Sequence, residues 1–296
     1  MHLLALRTVL VATDLDSGSV AAIESGRSLA AAAGATLHLV HVGRETPTPA
    51  TGAEVDAFVR HSGVELHGQQ LHLLNGDPAH LIRLLADRIN ADVIVLGPHR
   101  ERDGEGNGPG LGSTALAIVT DSFTPCLVTR QPLRVPLGRV LVGVDRSDTA
   151  RGALVVGLSW ASGLRARTAP GARPTSMLAL HVDRTGAPGA KASAGGATAL
   201  EQEVQRIRAD AGAWADVSIE QLTLSGDDPA GAIASTAAER HADLIVVGTR
   251  GLGFDRTGRL GSVSARLVRN CSTPVLLVPP AVWMSHAASE AKRTAG

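Results

Sequence analysis

The sequence predicts an α/β protein of two tandem doubly wound parallel-sheet domains, each with strand order 3-2-1-4-5, packed together as a pseudo-dimer. Three observations carry that prediction. Short β-branched runs alternate with longer helical patterns, the pattern of a parallel sheet covered by helices on both faces. The pattern is written twice, because six segments recur in the same order: TVLVATD at 8–14 returns as RVLVGVD at 139–145, LHLVHV at 37–42 as MLALHV at 177–182, LNGDP at 74–78 as LSGDDP at 224–229, ADVIVLG at 91–97 as ADLIVVG at 242–248, LGS at 111–113 as LGS at 260–262, and TPCLV at 124–128 as TPVLL at 273–277. Right-handed crossovers then make 3-2-1-4-5 the natural strand order, with chain direction reversing between the first and fourth strands.

Within each repeat the elements follow in order. The first strand ends in an aspartate, Asp14 or Asp145, and the alanine-rich stretch after Asp16 or Asp148 supplies the first helix. The second strand is LHLVHV or MLALHV. Leu200, Val204 and Ile207 recur at helical spacing and mark the second helix of the second repeat. The third strand runs into Asp77-Pro78 or Asp228-Pro229, an N-cap followed by proline at the first helical position. Leu81, Leu84, Leu85 and Ile89 then supply the apolar stripe of a third helix. The fourth strand, 244–247 in the second repeat, is an unbroken apolar run that gives way to a glycine-rich loop, and a fourth helix begins at Gly112-Ser113 or Gly261-Ser262. The fifth strands, 125–128 and 274–277, are apolar and would invite aggregation if left at an edge, so they are expected to pair antiparallel about a pseudo-twofold axis. The domains then run 1–133 and 137–281, joined through 131–136, with a polar tail at 282–296.

Composition narrows the function classes. A chain of 296 residues with 44% apolar side chains can bury two ordinary cores. Lys+Arg and Asp+Glu number 28 each, so the protein carries no broad positive field for nucleic acid or an anionic membrane. The opening residues are interrupted by Arg7 and offer no small-residue cleavage site, so they do not read as a signal peptide. The longest apolar run, 275–284, contains Pro279 and Pro280 and is far shorter than the ~20 residues of a membrane helix. Cys126 and Cys271 are expected as small buried hydrophobes, and the location as cytoplasmic.

The candidate site lies at the topological switch point, where Asp14 and Gly97 in one repeat, and Asp145 and Gly248 in the other, end the first and fourth strands. Gly261-Ser262 places backbone amides and a hydroxyl at a helix N-terminus, which suits a phosphate. Gly248, Gly251 and Gly261 remove side chains that would block backbone approach or forbid positive φ. Asp145 can accept hydrogen bonds from an exocyclic amine or a ribose hydroxyl. Together these describe a nucleotide. The chain has no G-x-x-x-x-G-K-[ST], no G-x-G-x-x-G after a first strand and no G-x-S-x-G, so P-loop, dinucleotide-binding and simple α/β-hydrolase readings lack their signatures.

At these residues the sequence resembles the universal stress protein family in tandem form, over nearly the entire chain. That resemblance implies the adenine nucleotide alpha hydrolase-like fold. The family's ATP-binding members carry G-x2-G-x9-G-[ST], which Gly248, Gly251, Gly261 and Ser262 satisfy. It further implies contacts from Asp145 with Ser147 close behind, from Val182 beside the base after His181, and from the backbone of Val263 beside the phosphates. The first repeat offers Asp14, Val42, Gly97, Gly112 and Ser113 at the matching places. It departs in its loop: Arg100 stands where the second glycine belongs, and fourteen residues separate Gly97 from Gly112 against twelve between Gly248 and Gly261.

The function expected on this reading is a cytoplasmic stress-response protein that binds ATP with Mg in its second domain and acts as a regulatory or sensor module, with a homodimer and an unidentified protein as partners. No residue is assigned a catalytic or metal-ligating role, since no general base, Walker-type lysine or paired carboxylate is visible. Two alternatives stay open: a slow ATPase or autokinase using Ser262 or Ser264, and a nucleotide-free interaction module. His38 and His41 stand three apart on a strand and point to opposite faces, so they are read as structural. Arg250, Arg256 and Arg259 either form a solvated loop or screen phosphates, and His241, Trp160 and Trp214 serve packing or helix ends.

Overall fold

The computed structural model describes residues 6–16, 18–43, 45–46, 48–61, 70–98, 111–145, 147–164, 175–184, 200–202, 204–205, 207, 217–251 and 260–282. The first half comprises β1 (Thr8–Thr13), α1 (Ser19–Ala33), β2 (Thr36–Gly43), α2 (Pro49–His61), β3 (Leu71–Asn75), α3 (Pro78–Arg88), β4 (Val93–Leu96), α4 (Ser113–Asp121) and β5 (Cys126–Val128). The second comprises β6 (Arg139–Gly143), α5 (Asp148–Gly163), β7 (Ser176–Asp183), β8 (Ser218–Ser225), α6 (Pro229–Glu239), β9 (Leu244–Gly248), α7 (Ser262–Asn270) and β10 (Val275–Val278). Leu200, Val204 and Ile207 are helical and buried, where the apolar spacing places them.

All strands join one 10-stranded sheet in the order β3-β2-β1-β4-β5-β10-β9-β6-β7-β8. Each half therefore has the predicted 3-2-1-4-5 order, and its strands pair in parallel. The halves meet where β5 and β10 pair antiparallel, with Leu127 opposite Leu276, Cys126 opposite Leu277 and Val128 opposite Val275. The expected pseudo-twofold axis thus passes between Leu127 and Leu276.

Strand alternation divides the core into two layers. Val9, Val11, Val140 and Val142 face α1, α2 and α5, while Leu10, Leu141, Ile94 and Ile245 face α3, α4, α6 and α7. Leu127 and Leu276 belong to the first layer, and Cys126, Val128, Val275 and Leu277 to the second, so both layers run through the seam without a break. Both cysteines are buried, as expected, and burial pushes the Cys126 thiol up to about 12.

Asp77 and Asp228 cap α3 and α6, accepting from His80 N at 2.7 Å and Gly231 N at 3.0 Å. One part of the expected α3 stripe is corrected: Leu84 is 54% exposed, and Ile82, Leu85 and Ala86 make the buried face. Residues 82, 85, 86 and 89 have the i, i+3, i+4, i+7 spacing, and Leu84 falls outside that stripe. The segment joining the halves is held. Leu133 is buried and its amide donates to Ser25 Oγ of α1 at 2.8 Å. Among the described residues, no helix is long and apolar enough to cross a membrane.

Truncating Leu276 to alanine would open a cavity at the axis itself. A loss of about 2–5 kcal/mol is expected, read as a lower urea midpoint with both halves unfolding in one transition.

Candidate functional site

β6 and β9 are hydrogen-bonded neighbours whose C-terminal ends open toward the switch point. Just past β6, Asp145 Oδ1 accepts from Ser147 N at 2.9 Å and from the Ser147 hydroxyl. Ser147 also caps α5, accepting from Ala150 N at 3.2 Å. Its hydroxyl lies 2.9 Å from that of Thr149, which in turn donates to the Arg250 carbonyl. A line of oxygens thus ties the exit of β6, the start of α5 and the loop leaving β9. It has two hydroxyl protons for three contacts, so its proton arrangement can shift without moving heavy atoms. Behind Asp145, His181 Nδ1 donates to the Val144 carbonyl at 2.7 Å. A carbonyl can only accept, which fixes the proton on Nδ1.

The glycines sit against this line. A Cβ on Gly248 would lie 2.6 Å from Thr149 Cβ and 3.0 Å from its backbone carbon, and one on Gly251 would lie 2.6 Å from Asp145 Oδ2. Gly261 donates its amide to the Thr249 carbonyl at 2.8 Å, pinning the two ends of the loop together. The sequence reading offered close approach or positive φ as reasons for these glycines. Close approach is what the structure has: among the described residues the positive-φ glycines are Gly34 and Gly76, and Gly261 has φ −59°.

Gly261 is the N-cap of α7, and no side chain caps that end, whereas α3, α5 and α6 are capped by Asp77, Ser147 and Asp228. Ser262 is exposed and Val263 partly buried. Ser264 is buried, and its hydroxyl donates to the Gly248 carbonyl at 2.7 Å. The helix is fixed further along as well. Arg266 makes a two-pronged contact with Asp228 at 2.7 and 2.8 Å. The Gly231 amide first, then Arg266, hold the Asp228 carboxyl below the ordinary carboxylate range. At the far end Arg130, from the first half, donates to the carbonyls of Val268 at 3.3 Å and Arg269 at 2.6 Å. Val182, at the end of β7, packs against the same apolar layer as Val263.

Asp145, Ser147, Gly248, Gly251, Gly261 and Ser262 are therefore gathered at one end of the β6–β9 pair. The sequence reading missed Thr149, which holds the loop, and named Ser264 only as a phosphoryl acceptor for the autokinase alternative, not as the side chain that holds the helix in place. Thr149 meets Arg250 across 101 positions of sequence, and no motif links the two.

The first half repeats part of this arrangement. His41 Nδ1 donates to the Thr13 carbonyl at 3.0 Å, as His181 does in the second half, and Val42 packs partly buried beside it. Asp14 Oδ1 accepts from Ser19 Oγ at 2.7 Å and from Asp16 N at 3.1 Å, and the chain turns through Leu15 at φ 64°. Gly112 caps α4 without a side-chain bond, and Ser113 is exposed. The strand exit differs. A Cβ on Gly97 would lie 2.7 Å from the Gly18 carbonyl oxygen, and one on Gly18 would lie 2.7 Å from that of Pro98. Where Thr249 donates its amide to Val278 at 2.9 Å, Pro98 has no amide hydrogen. Accordingly β4 and β5 have 4 and 3 residues against 5 and 4 for β9 and β10. Arg100, the insertion at 101–110, Arg256, Arg259 and Trp214 lie outside the described residues. Trp160 is buried in the core, and His241 follows the C-cap of α6, Arg240, at φ 51°.

Gly248→Ala should strain the contact with Thr149, whose backbone cannot move out of the way. A loss of about 1–3 kcal/mol is expected, measurable by urea unfolding without any ligand.

Comparison with known proteins fits this architecture. A universal stress protein of Thermus aquaticus is 43% identical over 77 residues, 26% of this chain and 56% of that protein, so the match spans little more than half of the relative. The solved universal stress protein of Archaeoglobus fulgidus DSM 4304 covers 92% of this chain and 98% of its own, with a TM-score of 0.63 at 19% identity, and so shares the fold. Another Archaeoglobus fulgidus universal stress protein, solved in complex with dAMP, covers 42% of this chain and 98% of its own, with a TM-score of 0.32 and 19% identity. The model of the Universal stress protein family matches residues 5–130 and again 136–279, two successive copies over nearly the whole chain. The chain therefore belongs to the universal stress protein family, as a tandem of two such domains.

Proposed function

We propose that this protein is a nucleotide-dependent regulatory module that binds one ATP per chain, in its second half. The observation that carries the reading is the meeting of Asp145, the Gly248-x2-Gly251 strand exit and the N-terminus of α7, which no side chain caps, at a single switch point. Phosphates would take the amides at Ser262 and Val263, gaining unpaired donors and the positive end of the helix dipole. Asp145 would accept from the base amine or a ribose hydroxyl, and Val182 would flank the base. A divalent ion such as Mg would ride on the phosphates. Nucleotide exchange, not turnover, is then the regulatory event, and a protein partner would read it.

The same geometry bears on the autokinase alternative. The Ser264 hydroxyl is buried and engaged by the Gly248 carbonyl, which leaves exposed Ser262 as the acceptor for any phosphoryl transfer at this helix. In the first half, the Pro98 carbonyl seats against Gly18, which supports a site that is empty or at least about tenfold weaker, a difference of ~1.4 kcal/mol.

Calorimetry on the full chain tests this directly. The expected titration is one ATP per chain, abolished by Gly251→Glu, which places a carboxylate against Asp145 and the incoming phosphates. Asp145→Ala should weaken binding and Asp14→Ala should leave it unchanged. Two equivalent sites would refute the asymmetry, and full affinity in Gly251→Glu would refute the site. A chain that releases no nucleotide on denaturation and binds none added is a nucleotide-free interaction module instead.

A further inference from the structure

The first half contains a polar contact that the second half builds from leucine. His38 of β2 and His72 of β3 lie on the sheet face covered by α3, and His38 Nδ1 is 2.9 Å from His72 Nε2. Register places Val40 beside His72 in the first half and Leu180 beside Leu222 in the second, so His38 and His72 correspond to Leu178 and Leu222. Leu178 is buried in the core and Leu222 packs against it. The ring centroids are 5.2 Å apart and the planes differ by 23°. A short nitrogen–nitrogen distance with centroids this far apart places the two rings head to head, nearly coplanar, with the bond along the line joining them. Two lone pairs aimed at each other leave no common point beside them for a metal ion without reorienting both rings.

Such a bond needs one proton between two nitrogens. With the pair neutral, one ring donates and the other accepts. A single added proton goes to the outer nitrogen of the donating ring, because the accepting ring's outer nitrogen already carries its hydrogen; it keeps the bond and makes it charge-assisted. A second added proton leaves no acceptor and opposes two cations. The surroundings resist that charge. β1 presents Leu10 and β4 presents Ile94 on this face, α3 presents Ile82, Leu85 and Ala86, and the charged group from α3 that acts on His72 is Arg88, a cation. The topology puts the pair at the margin of the sheet: β3 is the outermost strand, and within the sheet it pairs with β2 alone.

We propose that His38 and His72 form a proton-operated latch that holds the edge strand β3 onto β2 and releases it in acid. The ordinary histidine value is about 6.5. Burial lowers the pKa of His38, and burial, then His38, then Arg88 lower that of His72. The folded chain therefore takes up these protons less readily than the unfolded chain. Stability from the pair is complete above about pH 6.5 and is lost as pH falls below it. The latch is independent of the nucleotide reading.

Amide hydrogen exchange on the full chain, corrected for intrinsic rates, tests the latch at about pH 7.5 and about pH 5. On acidification, β3 should lose protection by about tenfold relative to the opposite edge strand β8. The double variant His38→Leu/His72→Leu, which installs the pair found in the second half, should keep β3 protected at both values. If that variant does not fold, His72→Gln, which cannot acquire charge at this position, should show the smaller loss. Equal loss in the variants, no loss in the parent, or equal loss in β8 would overturn the proposal. So would protection of β3 by added zinc ion at neutral pH in the parent alone, which would make the pair a metal site.

Discussion

A strand of three or four residues at the edge of a five-stranded sheet presents amides and carbonyls with nothing to satisfy them, and both β5 and β10 are in that position within their own halves. Their antiparallel pairing removes the problem for both at once. It also joins two half-cores: Leu127 and Leu276 place apolar bulk from each half in one layer, while Cys126, Val128, Val275 and Leu277 do so in the other. Burial on both faces of the seam makes the two repeats one hydrophobic body rather than two domains on a tether. The segment between them follows suit, with Leu133 buried and held by Ser25, and Arg130 reaching the last carbonyls of α7.

That last contact links the architecture to the site. α7 begins at the candidate phosphate seat, is anchored near its start by Ser264 on the Gly248 carbonyl, in its middle by Arg266 on Asp228, and at its end by a residue of the other half. The guanidinium lies where the helix dipole is negative, so it stabilises the helix without competing for an anion at the opposite end. The candidate site is thus built from backbone held at fixed distances, and side chains act mainly by holding that backbone. Thr149 and His181 both do so, one through the Arg250 carbonyl and the other through that of Val144.

The two halves diverge for local reasons that can be named. Pro98 removes one ladder hydrogen bond and shortens two strands. Gly18 then admits the Pro98 carbonyl at the place where Thr149 meets Gly248 in the other half. At the outer edge, two histidines replace two leucines, trading apolar packing for a bond whose existence depends on one proton. Duplication supplied two copies of one scaffold. Substitutions at a few contact positions are enough to give the two copies different strand exits and different outer edges.

The sequence by itself determined the fold class, the strand order, the cap at each Asp-Pro helix start and the β5–β10 seam, because each of these follows from patterns that are local or repeated. Alternating apolar runs specify strands whatever their neighbours are, and six recurring segments specify the duplication. The candidate site residues were legible as types and spacings for the same reason. What only the tertiary structure decided are the contacts between segments far apart in sequence: Thr149 with Arg250, Arg130 with the end of α7, and Gly251 against the Asp145 carboxylate. The spacing of Gly248, Gly251 and Gly261 showed that side chains were unwelcome there, but not that the neighbours were the protein's own atoms. His38 and Leu84 make the same point: on a strand or helix, spacing names the possible faces, and only the packed partners decide what each face meets.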